Sequence, residues 1–230
     1  MSMVSQARRA CIDPYMTKPE ADWADLAEQR VLDAALGLAP RLGWGSRLVA
    51  EAAREAGLSA GEAELLLPNG ARDLAALLSR RHDAAALTAL STTDPKTLKM
   101  RQRITRGVEE RLDAAMADEA ALRRWAGFLA LPGHAPLALR LTWDSAETIW
   151  RWAGDTATDE NHYSKRAILS GILISTLAVR LSSGRPAASA YLAARIENVM
   201  AFETWKATLT PMPLMRDVAE ALGRMRYGKA

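Results

Sequence analysis

Disulfides, a metal-rich histidine set and strand-like runs are all missing from this sequence. A single cysteine, Cys11, excludes an intramolecular disulfide and points to a reducing, cytoplasmic setting. Only three histidines occur, His82, His134 and His162, all far apart in the chain, and no Glu-x-x-His pair is present. That excludes the ligand pattern by which a helical bundle builds its own di-iron centre. A metal reading would start at Asp155, Asp159, Glu160 and His162, of which Asp159 and His162 have the i, i+3 spacing of two ligands on one helix, but Asp159 with Thr158 is better explained as the start of a helix. The expectation is no metal. Gly-x-Ser-x-Gly, P-loop and Gly-x-Gly-x-x-Gly motifs are equally lacking, so no catalytic residue is proposed and the chain is read as a non-enzyme.

Long hydrophobic runs are missing too. The longest uncharged apolar stretch, 167–179, lies between Arg166 and Arg180 and is shorter than the roughly 20 residues a spanning helix needs. No transmembrane segment is expected. Residues 1–20 have no signal-peptide core and read as a flexible lead-in. The net charge of +3 is too mild to imply nucleic acid on its own.

What is present is helix punctuation. Alternating β-branched and polar runs are absent, and Ala and Leu dominate, so the fold class is all-α. A first helix is predicted from Asp22 to Leu38, stopped by Pro40. Gly43-Trp44-Gly45 then turns the chain. Ser46 is the expected cap of a second helix and Ser59 of a short third one. A fourth follows from Arg72 to Leu90, and Asp94-Pro95 opens a fifth that runs to Met116. Further helices are expected over 118–131, 137–153, 159–182 and 187–207, the last two parted by Ser183-Gly184-Arg185-Pro186. One domain is expected over 21–207, made of a helix-turn-helix-like part (21–70) and a bundle (71–207), followed by a terminal helix in 211–230.

Gly45–Asn69 resembles the DNA-reading segment of TetR-type regulators in helix lengths and in its Ala56-Gly57-Leu58-Ser59 turn. Its charge is wrong for DNA. Leu58 to Ala71 holds no Arg or Lys, and Ser46 to Gly70 has four Glu against two Arg. Counterion release from DNA requires the opposite sign, so the segment is read as degenerate and nucleic acid is not an expected partner.

Lys96, Lys99, Arg103 and Arg106 share one helical face, which suits either phosphate and anionic lipid heads or plain solvation. The helices after residue 120 carry more large hydrophobes than one packing stripe needs, which fits an ordinary core or a ligand pocket. The terminal helix places Leu214, Val218, Leu222 and Met225 on one stripe with Met215 beside it. Such a helix docks on its own domain, swaps onto a second copy, or lies in a membrane interface.

The string from Ile149 to Ala167 contains Trp-x-x-Ala-Gly-Asp-x-x-Thr-Asp-x-Asn-x-Tyr-x-x-Arg, ending at Arg166. It resembles the signature of the ubiquinone-biosynthesis accessory protein family, the ninth Coq protein. Val108–Leu112 and Leu129–Pro136 are similar to that family as well. The resemblance implies a TetR-like fold that binds lipid. It also implies a homodimer and a membrane-touching terminal helix that associates peripherally with the inner membrane, in a bacterial setting for this chain. The ligand it implies is an isoprenoid lipid, phospholipid or ubiquinone intermediate, presented to a hydroxylase; any metal then belongs to that partner. By position, the partner-binding patch comprises Glu147, Ile149, Asp159, His162 and Tyr163, with Asn161 and Arg166 in support. The lipid pocket is assigned to Phe128, Leu131, Leu139, Trp143, Trp150, Ile168 and Ile172. The membrane contact is assigned to Leu214, Met215, Val218, Leu222 and Met225. Animal members carry Trp where this chain has His162, so the resemblance implies a hydroxylase partner without fixing which one.

Overall fold

The structure, a computed structural model, describes residues 23–155 and 160–208. The lead-in, Asp159, the side chain of Asn161 and the terminal helix with Leu214, Met215, Val218, Leu222 and Met225 lie outside the described residues. Those described form α-helices and two single 3₁₀ turns, with no strand among them, as the all-α expectation requires. The chain divides inside α4 (Ala71–Leu90), between Leu78 and Ser79, into two compact units. The sequence reading had one domain with its internal boundary at residue 70.

In the first unit, α1 (Trp23–Leu42) buries Ala27, Val31, Leu32, Ala35 and Ala39 along one stripe. Against it lies α2 (Ser46–Glu55), which contributes Leu48, Ala52 and Ala53. The alanines keep side-chain bulk low where the two helices meet. The predicted stop at Leu38 is overrun: α1 continues through Pro40. A proline so close to a helix end forfeits only one ladder bond, and the turn closes beyond it, where the Gly43 N–H donates to the Ala39 carbonyl at 2.9 Å. Gly43 does so at φ +76°, a left-handed conformation natural to glycine. Ser46 is not a cap as expected. It is the first helical residue, and Gly45 in the cap position offers no side-chain acceptor.

Ser59 does cap α3 (Ala60–Leu66). The Glu62 N–H donates to its hydroxyl and the Ser59 N–H donates to the Glu62 carboxylate at 2.8 Å, a reciprocal capping box. The Ser59 hydroxyl, which donates to the Glu62 carboxylate at 2.7 Å, and the Ser59 N–H together hold that carboxyl below its usual range. The helix that would read DNA therefore opens on a fixed negative charge.

The second unit packs α5 (Met100–Met116), α6 (Glu119–Leu129), α7 (Ala135–Trp152) and α8 (Glu160–Thr208). Its core joins Ile104, Val108 and Leu112 of α5 to Ala146 and Ile149 of α7 and to Leu169, Leu173, Leu192 and Ile196 of α8. α8 breaks at Gly184 (φ +80°) just before Pro186, which realises the predicted separation of two helices. By length and composition α8 holds a window apolar enough to cross a membrane, which the sequence reading had denied to any segment. Its buried face is nevertheless built for a protein neighbour: Leu169, Ser170, Leu173 and Thr176 are enclosed, and Arg180 pairs with Asp113 of α5 at 3.0 Å.

Gly107 lets α5 approach α7 closely. A Cβ built there would stand 2.6 Å from the Ile149 Cγ2. Gly107→Val should therefore overpack a filled core and cost about 1–3 kcal/mol in a urea melt. A loss below about 0.5 kcal/mol would show that Ile149 has room to move.

The fifth helix starts later than predicted. Asp94 caps only the 3₁₀ turn Pro95–Thr97, accepting from the Lys96 N–H at 2.9 Å, and Leu98 is extended before α5 begins. This break dissolves the basic stripe. Lys96 and Lys99 precede the helix, and Arg106 pairs with Glu110 at 2.8 Å. Arg103 turns inward instead, donating to the Leu98 carbonyl at 2.9 Å and to the Ala153 carbonyl at 2.7 Å. The second of these bonds places a cation on the C-terminal end of α7, where the helix dipole favours it.

His82 is buried in α4, and its Nε2 lies 3.3 Å from an Asp118 oxygen. Nε2–H donates to that carboxylate in the neutral ring, which leaves Nδ1 as a buried acceptor with no hydrogen-bond partner. Burial, helped by the charges of Arg111 and Arg81, pushes the imidazole down to about 3. The unfolded chain protonates His82 from about pH 6.5 downward while the folded one does not. Stability due to this residue is complete above about pH 6.5 and is lost as pH falls toward 3, at up to about 1.4 kcal/mol per pH unit. Denaturant melts between pH 7 and 4 should show a slope that His82→Gln flattens. An unchanged slope in that variant would contradict this.

Candidate lipid cavity and partner face

The joint between α7 and α8 is held by buried charge. The Arg166 side chain is 2% exposed. Its Nε bonds to Glu147, and its Nη1 donates to Asp155 at 3.2 Å and to the His162 carbonyl at 3.0 Å. Glu147 also takes Arg151 Nε at 2.5 Å, and Asp155 takes Lys165 Nζ at 2.7 Å. The Lys165 ammonium lies 5.4 Å from the centre of the Trp150 ring, while the Trp150 indole donates to the Lys165 carbonyl. Bonding to Arg166, reinforced by Arg151, holds the Glu147 carboxyl below the usual range against the opposing effect of burial. The sequence motif thus has a structural function at its two ends. Trp150, Asp155 and Arg166 lock the helix joint, and Gly154 makes the turn at φ +85°.

Not every residue expected in the partner patch is at the surface. Tyr163 is 65% exposed, with His162 edge-on to it at 5.2 Å and Trp143 at 6.2 Å. His162 Nε2 stands 4.0 Å from Glu147. Ile149 is a correction: only 2% exposed, it belongs to the core cluster beside Gly107. Two residues along a helix face opposite ways, so Glu147 and Ile149 cannot both look outward. Asp155 and Lys165 stand in the motif string, but their part in the joint, as partners of Arg166 and of each other, was not legible in the sequence.

The cavity is also elsewhere than expected. A space of about 330 Å³ lies among α4, α5, α6, α7 and α8 of the second unit. Trp125, Ala126, Leu129 and Ala130 line it from one side. Ala138, Leu141, Thr142 and Ser145 face it from α7, and Leu173, Ile174, Leu177, Ala178 and Leu181 from α8. Ile174, Ala130 and Ala178 are exposed as well, so the space communicates with the surface between α6 and α8.

None of the seven residues assigned to the pocket lines it. Leu131 and Leu139 are 53% and 60% exposed. Phe128 stacks on the His134 ring at 3.8 Å, and Trp143 sits with Tyr163. Ile172 is core, with Trp150 and Ile168 packed against it. The physical reason is volume. Large side chains fill the space they point into, whereas a void survives where alanines and serines stand, as at 126, 130, 138, 145 and 178. The i, i+3, i+4 set 138, 141, 142, 145 carried this signal in the sequence.

Among the described residues, no three of His, Cys, Asp and Glu come together as a metal set. Asp159 of the Asp159–His162 pair lies outside them.

Residues 135–203, which hold α7, the charged joint and most of α8, match the COQ9 family model. Relatives include the mitochondrial ubiquinone biosynthesis protein COQ9 of Xenopus tropicalis, 31% identical over 167 residues, covering 69% of this chain and 52% of that protein. COQ9-A of Xenopus laevis is 30% identical over 173 residues, with the same coverage. The human mitochondrial COQ9 is 28% identical over 169 residues, again covering 69% of this chain and 52% of that protein. The chain spans about half the length of the curated relatives it matches. On the match at 135–203 and on these relatives together, the chain is similar to the COQ9 family over about two thirds of its length.

Proposed function

We propose that this chain is a non-enzymatic accessory factor of ubiquinone biosynthesis that holds an isoprenoid lipid and presents it to a hydroxylase. The observation that carries the reading is the cavity. It is apolar, of a size proper to ligand sites, open to the surface, and formed in large part by the α7 and α8 residues inside the COQ9-matching region. The exposed Tyr163 with His162 and Glu147, fixed from behind by Arg166, is the surface offered to the hydroxylase. A rigid aromatic on a buried charged base suits an interface anchor. The terminal amphipathic stretch at Leu214, Met215, Val218, Leu222 and Met225 is the membrane contact. On this reading the protein associates peripherally with the inner membrane and acts as a homodimer.

Extraction of the purified full-length chain and mass spectrometry of what it carries tests the reading. Isoprenoid or other apolar-chain lipid is expected in near-stoichiometric amount, either as purified or after incubation with a prenylated quinone. No lipid under either condition would overturn the proposal. Duplex DNA should bind weakly if at all, since α3 presents Glu62 and no Lys or Arg; nanomolar affinity falling steeply with salt would instead favour the alternative, a TetR-like transcriptional regulator that binds a hydrophobic ligand.

A further inference from the structure

Thr176 departs from a habit of this chain. The hydroxyls of Ser170, Ser175, Thr105 and Thr148 each donate to the carbonyl four residues earlier on their own helix, a common way for a helical hydroxyl to satisfy itself. Thr176 stands on the same helix as the first two and is fully buried, yet its Oγ1 has no hydrogen-bond partner among the described residues. A buried hydroxyl left in that state carries its whole desolvation cost uncompensated. Beside it lies a second, much smaller cavity of about 10 Å³, between α5 and the two arms of α8 on either side of the Gly184 break. Its polar lining is Thr176 and Arg180 from the first arm, Arg185 and Ser189 from the second, and Glu109 and Asp113 one turn apart on α5. That volume suits one water molecule and nothing larger.

The charges decide which small species fits. Asp113 Oδ1 accepts from Arg180 at 3.0 Å and its Oδ2 from Arg185 at 2.5 Å, so this carboxylate is engaged from both sides of the break. Its two guanidiniums leave one positive charge over, and Glu109 balances it. The lining is therefore neutral, and a bound ion of either sign would bring uncompensated charge into a partly buried site. Hydrogen-bonding capacity is what remains unused. The Ser189 hydroxyl reaches Glu109 Oε1 only at 3.5 Å, long for a bond between oxygens. We infer that this cavity binds one internal water, which accepts from the Thr176 hydroxyl and donates to the Glu109 carboxylate, with the Ser189 hydroxyl as a third partner. The water ties α5 to both arms of α8, next to the Asp113 bridge that does the same with charge. It is a fixed part of the helical hairpin and does not depend on whether the larger cavity holds lipid.

Thr176→Val tests this, because it keeps the shape of the side chain and removes only the hydroxyl. If the hydroxyl were dry and unsatisfied, its removal would stabilise the fold; if it holds a water, removal strands that water and destabilises. Urea melts of the full chain should show the unfolding constant raised about fivefold or more in Thr176→Val. A variant as stable as the wild type, or more stable, would overturn the site. Wild-type melts in sodium, potassium, ammonium and choline chloride at equal ionic strength should coincide. A midpoint raised by one inorganic cation alone would put that ion in place of the water and overturn the assignment. A high-resolution crystal structure of the wild type should show one water peak within hydrogen-bond distance of both Thr176 Oγ1 and the Glu109 carboxylate. A cavity without such a peak would overturn the inference even if Thr176→Val does not fold.

Discussion

Arg166→Leu should lower the unfolding free energy by about 3–5 kcal/mol, the range for breaking a buried ion pair from one side. Removing the guanidinium leaves Glu147 and Asp155 facing one another across the α7–α8 joint, and the Asp155 side chain is only 6% exposed. Lys165 still reaches Asp155, but Glu147 keeps Arg151, which is mostly in solvent, and the more distant His162. Arg166→Lys should fall in between, since it restores charge without the fork that serves Glu147, Asp155 and the His162 carbonyl together. Neutralising the acids alongside, as Glu147→Gln and Asp155→Asn, should recover part of the loss. Urea melts of the set measure this. A loss below about 1 kcal/mol for Arg166→Leu would mean that the joint is held by its apolar contacts alone.

Filling the cavity should have the opposite signature, with a large effect on the ligand and a small one on the fold. Ala138→Trp directs an indole into the 330 Å³ space instead of into packed neighbours. Lipid recovered from the purified variant should drop about tenfold or more, a change of roughly 1.4 kcal/mol or above in binding. Its stability should remain within about 1 kcal/mol of the wild type, because nothing well packed has to move. A variant that retains its lipid would place the ligand elsewhere.

These two experiments separate features that the sequence presented together. The helices were legible because glycine and proline punctuate them: Gly43, Gly57, Gly70, Gly154 and Gly184 all adopt positive φ at a turn or break. The Ser59 box could be read residue by residue. The start of α5 could not. Asp94-Pro95 is a sound helix opening locally, but Leu98 leaves helical geometry, and the basic face inferred from continuous spacing fell apart with it. The motif was legible as a string, yet its chemistry was divided in three dimensions. Arg166 and Asp155 work from inside, Tyr163 shows outside, and Ile149 fills the core. A cavity is a defect of packing, set by which small residues face each other from different helices. A list of the largest hydrophobes therefore missed it entirely. Arg111 lies inside Val-Glu-Glu-Arg-Leu, where charged neighbours suggest the surface, yet it is only 8% exposed and pairs with Asp83.

The most direct test of the account is a titration of the delipidated full-length chain with a prenylated benzoquinone, read by tryptophan fluorescence. Trp125 is on the cavity wall and 7% exposed, so a quinone in the cavity should quench it. Saturable quenching with micromolar or tighter affinity is predicted for the wild type, with the signal largely lost in Trp125→Phe and the affinity lost in Ala138→Trp. Quenching that does not saturate, or that survives both substitutions unchanged, would contradict the claim that this cavity is where the lipid binds.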